Sequence, residues 1–162
     1  MLCGGFKVKK SLKPLASKEK KQLLALIKEQ WSADFKPELV FFRNEKDKIY
    51  AVHKDIAKID LSGARINSVG MYFGEEKKGE LRLSIEASQL IGPVAKKNVV
   101  EFNKEESLAW LRGEDLDKES DCSGFVIVKH KDDFMGTGKY TQDKRILNFV
   151  PKARRLILGE LP

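Results

Sequence analysis

The stretch that most constrains the fold runs from Gly124 to Leu156, GFVIVKHKDDFMGTGKYTQDKRILNFVPKARRL. It opens on Gly124-Phe125-Val126-Ile127-Val128, a β-branched run that predicts a buried strand. Gly136 and Gly138 flank Thr137 in the next extended segment. Glycine weakens a strand interior, so the pair predicts either a bulge or a surface lying flush against a partner's backbone. Lys139, Lys144, Arg145, Lys152, Arg154 and Arg155 follow. With Lys129 and Lys131, the segment from 129 to 155 carries eight cations against Asp132, Asp133 and Asp143, a net of +5. Strands bearing such a patch predict a β-module that binds a polyanion, and RNA is the polyanion expected.

The whole chain has 31 basic and 24 acidic residues, a formal charge of +7, which admits nucleic acid or an anionic membrane surface. No apolar run approaches the length that spans a bilayer, and the N-terminal lysines lack the apolar segment of a secretory signal. Cys3 and Cys122 are the two cysteines, far apart and in terminal or polar contexts. A disulfide framework is not expected, and a reducing cytoplasmic compartment is. Cys3, Cys122, His53 and His130 have no CxxC or HxxxH spacing, so no metal site is expected.

Along the chain, residues 1–13 are basic and irregular, the mark of a solvated tail, an edge strand or an auxiliary RNA contact. Ser17 is placed to cap a helix from Lys18 to Trp31, whose Leu23, Leu24, Leu26, Ile27 and Trp31 recur at helical spacing. Leu39–Phe42 and Ile49–His53 flank a run of turn formers and predict a hairpin. A strand is expected over Ile66–Phe73, a turn over Gly74–Gly79 and a strand over Leu81–Leu83. Ser84 is placed to cap a helix over Ile85–Leu90 that stops at Gly92-Pro93. Val99–Phe102 reads as a strand, and Asn103 with Glu106 as the capping box of a helix ending near Gly113. These elements predict an α+β chain of two parts: residues 1–80, a helix with antiparallel strands, and residues 81–162. Between Glu101 and Asp121 there are eight acids against three cations, a net of −5, and that segment is expected to face away from a polyanion.

The Gly124–Leu156 stretch resembles the C-terminal RNA-binding extension of the sun/fmu family of RNA (cytosine-5) methyltransferases. Met135-Gly136-Thr137-Gly138-Lys139, Arg145-Ile146-Leu147-Asn148 and Pro151-Lys152-Ala153-Arg154-Arg155 match the family's glycine-pair and PKxLRR-type motifs. Val99–Leu116 is similar to the strand, helix and F/WLxGxDL block that precedes them. The likeness covers roughly residues 82 to 157. It implies a PUA-like β-barrel with flanking short helices. The N-terminal half is similar to the small domain that precedes such modules in stand-alone archaeal ribosome-biogenesis proteins.

Catalytic chemistry has no support in the residues. Methyl transfer needs a glycine-rich turn after a strand to hold S-adenosylmethionine, and sun/fmu enzymes use a Pro-Cys pair with a second nucleophilic cysteine. Neither is present. Gly136-Thr137-Gly138-Lys139 lacks the GxxxxGK[ST] spacing of a phosphate loop. Asp132-Asp133 reads as a solvated turn. The chain is therefore expected to be a non-enzymatic RNA-binding protein without cofactor, metal or membrane association. Its RNA site is expected at Lys129, Gly136, Gly138, Lys139, Lys144, Arg145, Asn148, Lys152, Arg154 and Arg155. Asn148 has the alternative of a structural hydrogen bond within the barrel. Tyr140 and Phe149 are candidates to stack on bases, with Phe149 placed instead in the core by strand alternation. The resemblance implies rRNA or tRNA as ligand, a role in ribosome biogenesis or RNA modification, and an RNA-modifying enzyme or pre-ribosomal particle as partner. The alternatives are an RNA-targeting subunit of a separate methyltransferase or transglycosylase, and a protein-interaction module meeting an acidic partner.

Overall fold

The computed structural model describes residues 12–60, 70–157 and 159. The lysine-rich tail and the first half of the strand expected over Ile66–Phe73 lie outside them. Strands β1 (Lys13–Pro14), β2 (Leu39–Arg43), β3 (Lys48–His53), β4 (Met71–Lys77) and β5 (Glu80–Leu83) form one antiparallel sheet in chain order. Helix α1 (Ser17–Trp31) packs on it through Leu23, Ile27 and Trp31, which meet Phe41, Ile49, Phe73 and Leu81. The cap position falls on Ala16 rather than Ser17, and the Glu19 carboxylate takes the Ala16 N–H at 2.8 Å in place of a cap side chain. Gln30 closes the outer edge of β5. Its Nε2 donates to the Leu81 carbonyl at 2.9 Å and its Oε1 accepts from the Leu81 N–H at 2.7 Å.

The β2–β3 hairpin is as expected, with the Asn44 Oδ1 accepting from Lys46 and Lys48 N–H in the turn. The turn expected over Gly74–Gly79 is shorter: β4 runs on through Gly74 to Lys77. Ile49 faces Gly74 while Tyr50 faces Tyr72, so Phe73 is an extra residue and β4 carries a bulge. The turn itself is Lys78-Gly79, both at positive φ (53° and 76°), the geometry that matches the strand twist of a two-residue hairpin.

Helix α2 (Ile85–Ile91) follows, capped by Ser84 Oγ, which accepts from the Ala87 N–H at 3.0 Å. Then come β6 (Val99–Glu101), α3 (Lys104–Leu111), β7 (Leu116–Asp117), β8 (Gly124–His130), β9 (Asp133–Tyr140) and β10 (Arg145–Leu147). They make a second sheet in the order β6-β8-β9-β10-β7, curled into a partial barrel, with β6 parallel to β8 and the other pairs antiparallel. The capping box expected at α3 is present: Asn103 Oδ1 accepts from the Glu106 N–H and the Glu106 carboxylate from the Asn103 N–H.

The β-branched run is buried on both faces of β8. Val126 and Val128 pack with Phe102, Trp110 and Ile146, whereas Ile127 joins the core under α1. Each core holds one tryptophan, and each indole donates to a backbone carbonyl of the second sheet: Trp31 to Phe125 at 3.1 Å and Trp110 to Met135 at 3.0 Å. Helix α2 lies between the sheets. Ser88 Oγ accepts from the Gly136 N–H at 2.8 Å, and Thr137 Oγ1 donates to the Leu83 carbonyl at 3.0 Å.

Candidate nucleic-acid interface

Strand pairing decides where the predicted cations stand. β7 lies beside β10 with Asp117 opposite Arg145, which brings the acidic segment onto the cations instead of away from them. Arg145 meets Asp115 at 3.5 Å and Asp117 at 3.3 Å, and Lys144 pairs with Glu119. Lys129 lies 3.5 Å from Glu101, Lys139 pairs with Glu80, and Arg154 with Glu86. Five of the eight cations between 129 and 155 thus have a carboxylate partner, and the segment's net charge overstates its local field. The expectation that residues 101–121 face away is corrected by this geometry. Most of these pairs are exposed and worth only a fraction of a kcal/mol, so a phosphate can exchange for a carboxylate at small cost. Among the described residues, the exposed ammonium groups of Lys131 and Lys152 form no ion pair, although the Lys131 backbone N–H donates to the Glu101 carboxylate at 2.8 Å.

The glycine pair is internal. Two residues of β9, Met135 and Gly136, face the single Val128 of β8, so the bulge is in β9 and Gly136 takes φ 93° within it. A Cβ built on Gly138 would fall 2.4 Å from Ile146 Cγ2 and 2.7 Å from Trp110 Cη2. The close approach that glycine permits there is made by the protein's own Trp110, and both glycines are buried. Asn148 is likewise used inside the fold. Its Nδ2 donates to the carbonyls of Trp110 at 2.7 Å and Glu114 at 3.0 Å, and its Oδ1 accepts from the Val150 N–H at 2.8 Å. No part of that amide is left to read a base edge. Arg155 lies against Gly113 and donates from Nε to the Val150 carbonyl at 3.0 Å. Tyr140 donates its hydroxyl to the Lys118 carbonyl and accepts from the Ser120 N–H, pinning the segment between α3 and β8.

Phe149, expected in the core, follows the end of β10 and is 37% exposed. It belongs to a row that crosses from one sheet to the other. Lys139 Nζ lies 4.6 Å from the Phe125 ring centre, Phe125 and Phe149 are 5.8 Å apart, and the Arg82 guanidinium sits 4.7 Å from the Phe149 ring. Arg82 also acts on the Tyr72 hydroxyl. Tyr72 stands 5.6 Å from Tyr50, with Lys48 Nζ 5.8 Å from the Tyr72 ring. Burial pushes the Tyr72 phenol up despite Arg82, so it stays a neutral hydroxyl at pH 7. Glu75, opposite Arg82 on β4, is held below the usual carboxylate range by its hydrogen bond from Lys77 against the cost of burial, with Arg82 and Lys48 adding to the effect. Beside the row is a cleft of about 450 Å³, with Tyr72, Arg82, Phe149 and Arg154 around it and Ile85 and Val150 among its apolar walls. Sequence reading missed Arg82 and Tyr72 altogether. The only signal was an aromatic or a cation at alternate positions of short strands, and that pattern names no partner.

The other candidate groups are dispersed. His53 lies near Glu38 and Asp55, His130 Nδ1 is 2.7 Å from the Phe102 carbonyl, and Cys122 Sγ accepts from Ser120 Oγ at 3.0 Å. Cys3 is outside the described residues. Among the described residues no three His, Cys, Asp or Glu side chains gather as a metal site, and no helix is long and apolar enough to cross a membrane.

Residues 97–156 match the family model described as "Methyltransferase RsmF PUA domain", which covers less than half of the chain. No curated protein matches the chain. The matched region contains β6 to β10 and α3, that is, the whole second sheet with its capped helix. The second sheet is thus similar to a PUA domain and resembles the C-terminal extension of the sun/fmu RNA (cytosine-5) methyltransferases.

Proposed function

We propose that this chain is a non-catalytic RNA-binding protein acting on structured rRNA or tRNA, in ribosome biogenesis or in RNA modification. The observation that carries the reading is the match of residues 97–156 to a PUA domain, a module type that binds RNA. On this proposal residues 1–80 and 81–162 are two modules, and the second supplies the RNA contacts. Lys144, Arg145, Lys152 and Arg154 carry them, because their heads reach solvent. Lys129 and Lys139, half-buried beside aromatic rings, act at the margin. A separate modifying enzyme or a pre-ribosomal particle is the partner such a module would serve.

The test is binding of a tRNA or a ribosomal hairpin measured from about 50 to 200 mM salt. Log affinity falls with log salt at about −0.7 to −0.9 per neutralised phosphate. Lys152→Ala and Arg154→Ala each weaken binding and make the slope shallower by about one contact. Lys18→Ala and Lys21→Ala, on the exposed side of α1, change net charge equally and do much less. Equal losses from both pairs would remove the second module as the site. Incubation with labelled S-adenosylmethionine and bulk RNA leaves the RNA unlabelled; label transferred by the protein alone overturns the non-catalytic part.

A further inference from the structure

Five strands from both sheets, with the residue after β10, build one half-buried row of cations and rings: Lys139 (β9), Phe125 (β8), Phe149 (after β10), Arg82 (β5), then Tyr72 (β4) with Lys48 and Tyr50 (β3) at the far end. We propose that this row is a track for single-stranded RNA, different in chemistry from the phosphate-binding cations between 144 and 154 and adjoining them at Arg154. The proposal rests on the reading of the chain as RNA-binding and names the form of RNA that the seam between the sheets takes.

Three observations carry it. Aromatic rings and guanidinium planes are what unpaired bases stack on, since every base has a π-face and duplex stacking hides it; the ring pairs of the row are tilted at 59° and 56° and are not stacked on each other. The Arg82 guanidinium, 4.7 Å from the Phe149 ring centre, adds a planar cation beside that ring. The charges are also moderated. Arg82 is held by Glu75 at 2.6 Å and Lys139 by Glu80, so the row attracts phosphates weakly and contributes mainly through stacking. Finally, the cleft of about 450 Å³ beside Arg82 and Phe149 falls within the size range of small-ligand sites and has room for one base turned out of the strand. Arg154 stands at that cleft, where the Glu86 carboxylate it now holds is exchangeable for a backbone phosphate.

Structured RNA held on the 144–154 cations therefore meets the row with an unpaired end or loop. Affinity for single strands should depend on rings more than on salt, the opposite balance from the cation site.

The experiment is fluorescence anisotropy with labelled single strands of about eight nucleotides, a length within known single-strand site sizes, against a blunt duplex of the same sequence and a tRNA. The native protein is expected to prefer the single strand to the duplex. Arg82→Lys keeps the charge and the Glu75 partner but loses the plane, and should weaken single-strand binding about tenfold. Tyr72→Leu keeps bulk and loses the ring, with a loss of similar size. Phe149→Ala should do the same and Phe149→Tyr should restore binding. In each variant the salt slope and the affinity for the duplex stay at native values, and melting curves report folding. Native single-strand affinity in folded Arg82→Lys and Tyr72→Leu overturns the track. So does a native protein that prefers the duplex. If the native protein binds tRNA but no single strand, the track falls and the RNA-binding function stands. If it binds no RNA of any form, both fall.

Discussion

At the level of single residues, the positions that attract the eye in the sequence are occupied by the protein's own packing. Gly138 has Trp110 and Ile146 where a side chain would be. Gly138→Ala should therefore cost about 1–3 kcal/mol through overpacking, a loss of several degrees in Tm for a chain of this size. A thermal melt checks it; an unchanged Tm would show that the Trp110 ring gives way freely. Asn148→Ala removes the amide partner of the Glu114 carbonyl and of the Val150 N–H, while the Trp110 carbonyl keeps the Gly113 N–H at 3.0 Å, and should cost about 1–3 kcal/mol, read by urea unfolding. The sequence admits both readings of these residues because a glycine or an amide that serves a partner and one that serves the core are the same letter. Only the neighbours differ, and Trp110 is 28 positions away from Gly138 along the chain.

Among the elements, those defined by local chemistry were legible. Apolar spacing located α1, and the Asn103/Glu106 pair located the start of α3. The elements that depend on a neighbour were not. The sequence pattern ends β4 at Gly74 because its bulge breaks the alternation, and β7 is two residues that become a strand only beside β10. That omission reversed the reading of charge, since β7 is what carries Asp115 and Asp117 to Arg145. The α3 capping box also makes a pH prediction. Burial alone would raise the Glu106 pKa, but Lys118 and the Asn103 N–H outweigh it and hold the carboxyl below its ordinary 4.5. A depressed folded value means that the stabilisation is present in full above the unfolded pKa and is lost as pH falls through the folded one. Glu106→Gln should thus be less stable than the native protein near pH 7, and the gap should narrow as the pH is taken from about 5 to 3. A gap that is constant over that range would mean the carboxylate contributes no more than an amide does.

The whole molecule is tied together through its middle. Trp31 of α1 donates to β8, Thr137 of β9 donates to β5, and Ser88 of α2 accepts from the β9 bulge. The two tryptophans report on the two cores separately, so their unfolding can be compared directly. Trp31→Phe and Trp110→Phe should give urea transitions with coincident midpoints once each is referenced to far-UV circular dichroism, as a single cooperative unit requires. Separated midpoints would mean that the cores melt independently. The cation–aromatic row belongs to this scale as well: its members come from positions 48 to 149, and no window of sequence contains them. The two-faced burial of β8 has a practical consequence for anyone who excises the PUA region alone. Ile127 and the partly buried Phe125 and Phe134 pack against the first core, and residues 97–156 by themselves would present that face to water. A fragment cut there is an adhesive, prone to pair with itself or precipitate, and solubility would return only when its missing half is supplied in the same tube.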